Sequence, residues 1–134
     1  LSGVTIAGVR LSELLTVMNQ RIEALLDREH QLGHAYFMDL TSSESIDALA
    51  SVFRHQILPL LQEYFFEDWQ RIAWVLNDHR KPVGCRFVVQ QSTSRAEMFG
   101  GGVDGETEAT LWRLDATAFG NAASYRGIVA AGDA

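Results

Sequence analysis

A change of period near residue 80 constrains the fold of this chain more than any other feature. Upstream of "NDHRKP" (77–82), apolar residues recur at helical spacing; downstream, two short β-rich runs flank a glycine-rich segment. Leu14, Leu15, Met18, Ile22, Leu25 and Leu26 share one stripe, which predicts a first helix from Ser12 to about Leu26. "TSSE" has the form of a capping box, with Thr41 as N-cap and Glu44 reaching back to it. Ile46, Leu49, Phe53, Ile57, Leu60, Leu61 and Tyr64 then carry the stripe of a second helix. Pro59 removes a backbone donor inside that run, so a kink or restart is expected near His55–Leu58. A third helix is expected over Glu67 to Leu76, with its acidic "ED" in the first turn and Trp69, Ile72, Ala73 and Leu76 buried.

Beyond that point "CRFVVQQ" (Cys85–Gln91) and "ATLWRL" (Ala109–Leu114) read as two antiparallel strands joined across "MFGGGVDGETE". A lone hairpin is marginal in water, so it must pack on other protein. "DATAFGNAASYRGIV" reads as short helical turns pinning Phe119, Tyr125 and Ile128 to the body. The expected fold is therefore mainly α, a small helical bundle over 1–79. A C-terminal antiparallel β-hairpin and closing segment over 80–129 pack on it, followed by a tail over 130–134.

Charge narrows the function. Residues 1–79 hold five Arg against eleven Asp and Glu, whereas residues 80–134 hold six basic and six acidic residues. Nucleic-acid affinity depends on cations replacing counterions, so direct binding of nucleic acid by this chain is disfavoured. Cys85 is alone, which excludes an internal disulfide and fits a reducing cytoplasm. No apolar run approaches the roughly 18 residues of a membrane span, and "LSGVTIAGVRL" lacks the layout of a signal peptide. The missing initiator Met is expected to mark a cloning or processing boundary.

The densest chemistry lies in "LLDREHQLGHAYFM" (Leu25–Met38). His30 and His34 have the spacing of a zinc-protease helix, but Gln31 stands where the catalytic Glu belongs and Gly33 weakens the helix. The histidines are better placed lining a corner between helices, and "DREH" reads as a solvated ion-pair network. "GGGVDG" lacks the Lys-Ser/Thr of a P-loop and reads as a turn. Cys85 has no His or acid close by in sequence and reads as a semi-buried strand residue. Trp69, Trp74 and Tyr64–Phe66, aromatics at helical spacing in an acidic segment, read as core rather than as base-stacking groups.

Three segments, in order, carry a resemblance: "MNQRIEALLDREHQLGHAYFM" (Met18–Met38), "FRHQILPLLQEYFFEDWQRIAWVLND" (Phe53–Asp78) and "AFGNAASYRGIV" (Ala118–Val129). Together they resemble the C-terminal part of the McrB family, AAA+ motors that hydrolyse GTP, or ATP in some relatives, in methylcytosine-dependent restriction. The family pattern has Ser at position 35, often Tyr at 66 and Pro-Glu at 122–123, where this chain has Ala35, Phe66, Ala122 and Ala123.

The resemblance implies a helical lid, not catalytic alone, because the chain contains no P-loop or Walker-B pattern. It implies GTP or ATP with Mg in the parent rather than a cofactor of this chain. The implied partners are the AAA+ core, neighbouring ring subunits and a nuclease subunit. A lid closes over base and ribose, so the resemblance places Asp27, Arg28, Gly33, His34 and Tyr36 on the nucleotide-facing edge. Arg71 is then a phosphate or inter-subunit contact, or else the partner of Glu67 one turn away. The reading from another class is a stand-alone helical module that binds a partner protein.

Overall fold

The computed structural model describes residues 3–42, 44–94, 99–100 and 108–130. The chain opens with a small antiparallel pair, β1 (Thr5–Ile6) and β2 (Val9–Arg10). Ala7 and Gly8 turn it at φ 54° and 79°, the left-handed pair that matches strand twist in a two-residue hairpin. Helix α1 follows at Leu11–Leu25 and buries Leu11, Leu14, Leu15, Met18 and Ile22, close to the expected span; Leu25 and Leu26 lie at the half-buried edge of the stripe.

The second helical run starts later than its capping-box pattern implies. Glu44 N–H bonds Thr41 O at 3.0 Å in a turn, and α2 spans Ile46–Val52 with Ser45 at the N-cap position. The periodic stripe begins at Ile46, and the residue directly before it holds the N-cap position without a side-chain cap bond among the described residues. The expected disturbance at Pro59 takes the form of a π turn, Phe53–Ile57, between α2 and α3 (Leu58–Tyr64). Leu58 N–H reaches back to Phe53 O, a widened ring that makes room for the proline where a regular turn would clash.

Helix α4 is shorter than expected, Trp69–Val75. Phe66 and Glu67 adopt positive φ, 51° and 61°, and so stand outside the helix; Asp68 is the N-cap, accepting from Arg71 N–H at 3.3 Å. Ile72, Ala73, Val75 and Leu76 are buried, Trp69 is half-buried, and Trp74 points outward. The aromatic triplet divides: Phe65 is core, Tyr64 is half-buried, and Phe66 is 90% exposed, so it is not core.

Strands β3 (Val88–Ser94) and β4 (Glu108–Leu114) pair antiparallel from Val88↔Leu114 to Ser94↔Glu108. Cys85, expected as a semi-buried strand residue, is buried and lies before the strand, in the turn where its N–H bonds Pro82 O at 3.1 Å. The glycine-rich turn at 101–107 and the tail at 131–134 lie outside the described residues. A 3-10 turn, Ala118–Gly120, leads into α5 (Ala122–Val129), capped by Asn121, whose carboxamide oxygen accepts from Ala123 N–H at 3.0 Å. Phe119, Tyr125 and Ile128 are all buried there.

One buried cluster runs from Ile6 to Ile128 through the helices, the first hairpin and the start of β3, with half-buried Trp112 of β4 packed against it. At its centre Phe53 meets Phe87 at 5.6 Å, Phe37 at 6.2 Å and Tyr125 at 5.0 Å. The Tyr125 hydroxyl donates to Phe119 O at 2.6 Å.

The "NDHRKP" segment, where the period changes, is where the two halves are pinned. Lys81 Nζ donates to Asp78 Oδ1 at 2.8 Å, and both side chains are almost completely buried. Asp78 Oδ2 accepts the Val88 N–H at 2.8 Å, fastening the first residue of β3. The ammonium also lies 4.3 Å from the centre of the Phe87 ring. Asn77, in the left-handed region at φ 62°, donates to Gly127 O at 2.8 Å and so holds α5. A Cβ on Gly127 would sit 3.1 Å from Lys81 carbons, so this glycine lets the lysine stem pass beneath α5.

Candidate functional site

The polar elbow between α1 and α2 is built from short pieces because its sequence gives no continuous helix. Helix α1 closes with Leu26 N–H on Ile22 O at 2.8 Å. Asp27 then caps a single 3-10 turn, Arg28–His30, accepting the His30 N–H at 3.0 Å and meeting the His30 Nδ1 at 2.7 Å. The hydrogen bond to the His30 side chain holds the Asp27 carboxyl below the usual carboxylate range. The His30 ring stands edge-on to Tyr64, centroids 5.0 Å apart, tying the elbow to α3. Burial pushes the Tyr64 hydroxyl up, with smaller contributions from Tyr36 and Glu63.

Arg28 extends into solvent and meets Glu23 at 3.4 Å, and Gln31 reaches the same carboxylate at 3.4 Å. This is the exposed network that "DREH" suggests, and such pairs contribute little to stability. The elbow's firm anchor is Asn19. Its carboxamide donates to Leu32 O at 3.0 Å and accepts from Leu32 N–H, satisfying a buried residue's backbone from the side of α1. Asn19→Ala strands both groups, so a loss of about 1–3 kcal/mol is expected. Urea unfolding measures it, and an unchanged midpoint would show the clamp to be ornamental.

Gly33 is extended, φ −81° and ψ 160°, and a Cβ there would find only Ala35 N at 4.0 Å. Neither strain nor crowding within the described residues requires glycine at this point, and the space beside it is open. His34 and Ala35 are exposed at the start of a second 3-10 turn, His34–Phe37. Phe37 is buried, Tyr36 is half-buried against the core, and Met38 is exposed. The structure thus brings Asp27, Arg28, Gly33, His34 and Tyr36 into one elbow of two successive 3-10 turns.

Arg71 stands apart, on the first turn of α4, with Nε 3.5 Å from Asp68; its partner is the N-cap rather than Glu67. No hydrogen bond or ion pair joins it to the elbow among the described residues. His30, left off the edge when the sequence is read alone, is the elbow's organising side chain. The available signal was Asp27 three residues before it, the spacing of a capping residue and its target. Among the described residues no three His, Cys, Asp or Glu side chains converge as metal ligands, and no helix is long and apolar enough to cross a membrane.

A helical bundle with a polar elbow on one corner and a hairpin pinned to its back is the class of protein these elements define. Residues 10–73 match the family model of the McrB alpha-helical lid domain. The match runs from the end of β2 into α4, so it takes in the whole elbow and stops before the Asp78–Lys81 pair. No curated protein matches the chain.

Proposed function

We propose that the chain is the lid of an AAA+ motor that hydrolyses GTP or ATP in modification-dependent DNA restriction, and that it is not catalytic by itself. The observation that carries this reading is the lid-family match across the elbow, which presents exposed His34 beside open space at Gly33. His34 donates to or accepts from base or ribose, Tyr36 packs beside it, and the Asp27–His30 pair holds the corner in shape. The phosphates, Mg and attacking water belong to the core, whose P-loop and Walker-B acids supply that chemistry. Closure of the lid on the core converts nucleotide state into movement against neighbouring ring subunits and a nuclease subunit. Arg71 serves at the subunit boundary.

Titration with fluorescent GTP and ATP analogues tests the reading. No measurable binding is expected for this chain, whereas the product of the whole reading frame binds. A reading frame without P-loop and Walker-B segments upstream of Leu1 would overturn it.

A further inference from the structure

Two adjoining cavities lie on the face formed by α1, α4, the Asn77–Pro82 connection and β3–β4. One measures about 650 Å³ and the other about 350 Å³, and Trp74 and His79 line both. The larger adds Trp112 and Arg86; the smaller adds Arg21 and Arg80. Three arginines and a histidine therefore surround two tryptophans in a chain of net charge −6. The only carboxylate among the described lining residues is Asp78, and Lys81 already pairs with it at 2.8 Å.

Arg21 Nη1 is held against Val75 O at 3.0 Å, and Arg86 Nε against Lys81 O at 2.7 Å, so carbonyls position these two heads without neutralising them. Burial, and then Arg80, work against the charge on Arg21; burial, Arg80 and Arg21 do the same at His79, where Asp78 only partly offsets them. Like charges crowded around half-exposed aromatic surface are an unfavourable arrangement that an anionic occupant relieves. Trp74 is 38% exposed and Val83 beside it 87% exposed, so the occupant also has an apolar part.

We propose that this groove docks an acidic segment of a partner protein, an apolar anchor seated between Trp74 and Trp112 and carboxylates on Arg21, Arg80 and Arg86. Tryptophan and arginine are the residues that most often dominate such interfaces. The docking does not depend on the nucleotide reading of the elbow.

Fluorescence polarisation of the chain with a labelled peptide, one leucine among aspartates, tests the proposal. Binding is expected to weaken with salt and to fall about tenfold or more in Arg80→Glu and in Trp74→Ala. Arg113→Glu should leave it unchanged, because Arg113 pairs with Gln91 and alternates to the other face of β4 from Trp112. Arg80 is exposed, so an unchanged urea midpoint separates lost docking from lost folding. Equal binding of the asparagine version of the peptide would overturn the proposal. So would binding of a single-stranded oligonucleotide, or self-association of the chain, that is lost in the same variants while the peptide does not bind.

Discussion

Lys81→Ala is expected to destabilise the fold by about 3–5 kcal/mol, because it leaves the buried Asp78 carboxylate without its cation, with only the Val88 N–H to bond. Asp78→Ala should cost a similar amount, since it abandons both the ammonium and the Val88 N–H. The double change Asp78→Leu with Lys81→Met should cost much less than the sum of the single changes, because no buried charge remains.

The same pair makes a pH prediction. Burial pushes the Lys81 ammonium down to about 8 against the opposing pull of Asp78, and burial pushes the Asp78 carboxyl up. Between about 8 and the ordinary 10.5 the folded state then binds fewer protons at Lys81 than the unfolded state does. Stability from this residue therefore rises with pH across that window. Urea unfolding of the wild type from pH 7 to 9.5 should show a gain relative to the double variant, which lacks both groups.

Phe53→Ala is expected to cost about 3–5 kcal/mol, the range for emptying a large aromatic site in a packed core. Its ring touches Phe37 before α2, Phe87 at the entry to β3 and Tyr125 on α5, so the cavity would open where the helical half meets the hairpin half. A single cooperative unfolding transition shifted to lower urea is the expected result. A small shift, or an early separate loss of the hairpin, would show that the halves do not share one core.

These two residues illustrate what was legible in the sequence. Phe53 declares itself through the stripe Ile46–Leu49–Phe53–Ile57, and the helical spacing of α1 to α4 follows from burial of such stripes. Lys81 does not declare itself, because its burial depends on Asp78, Phe87 and Gly127 converging in three dimensions. Local patterns misled where two compete. "TSSE" places the helix start at Thr41, and contact of Ile46 with the core sets it at Ile46 instead. "FFED" reads as a helix start, yet positive φ at Phe66 and Glu67 delays the helix to Trp69. The β1–β2 hairpin is too short for alternation to show; only Ala7–Gly8 hinted at it.

At the elbow, sequence located the cluster but not its internal order. Asp27 and His30 stand at a spacing that any solvated turn could share, and only the fold shows the ring resting on Tyr64 from another helix. The groove around Trp74 was illegible for the same reason: Arg21, Arg80 and Arg86 belong to three separate segments.

The most direct test of the central claim is nucleotide affinity and turnover of the whole reading-frame product with the elbow intact and with His34→Ala and Tyr36→Ala combined. A loss of about tenfold or more in GTP or ATP affinity or turnover, in a variant that still unfolds in one cooperative transition, is the expected result. Unaltered affinity and turnover in the double variant would contradict the assignment of this elbow to the nucleotide.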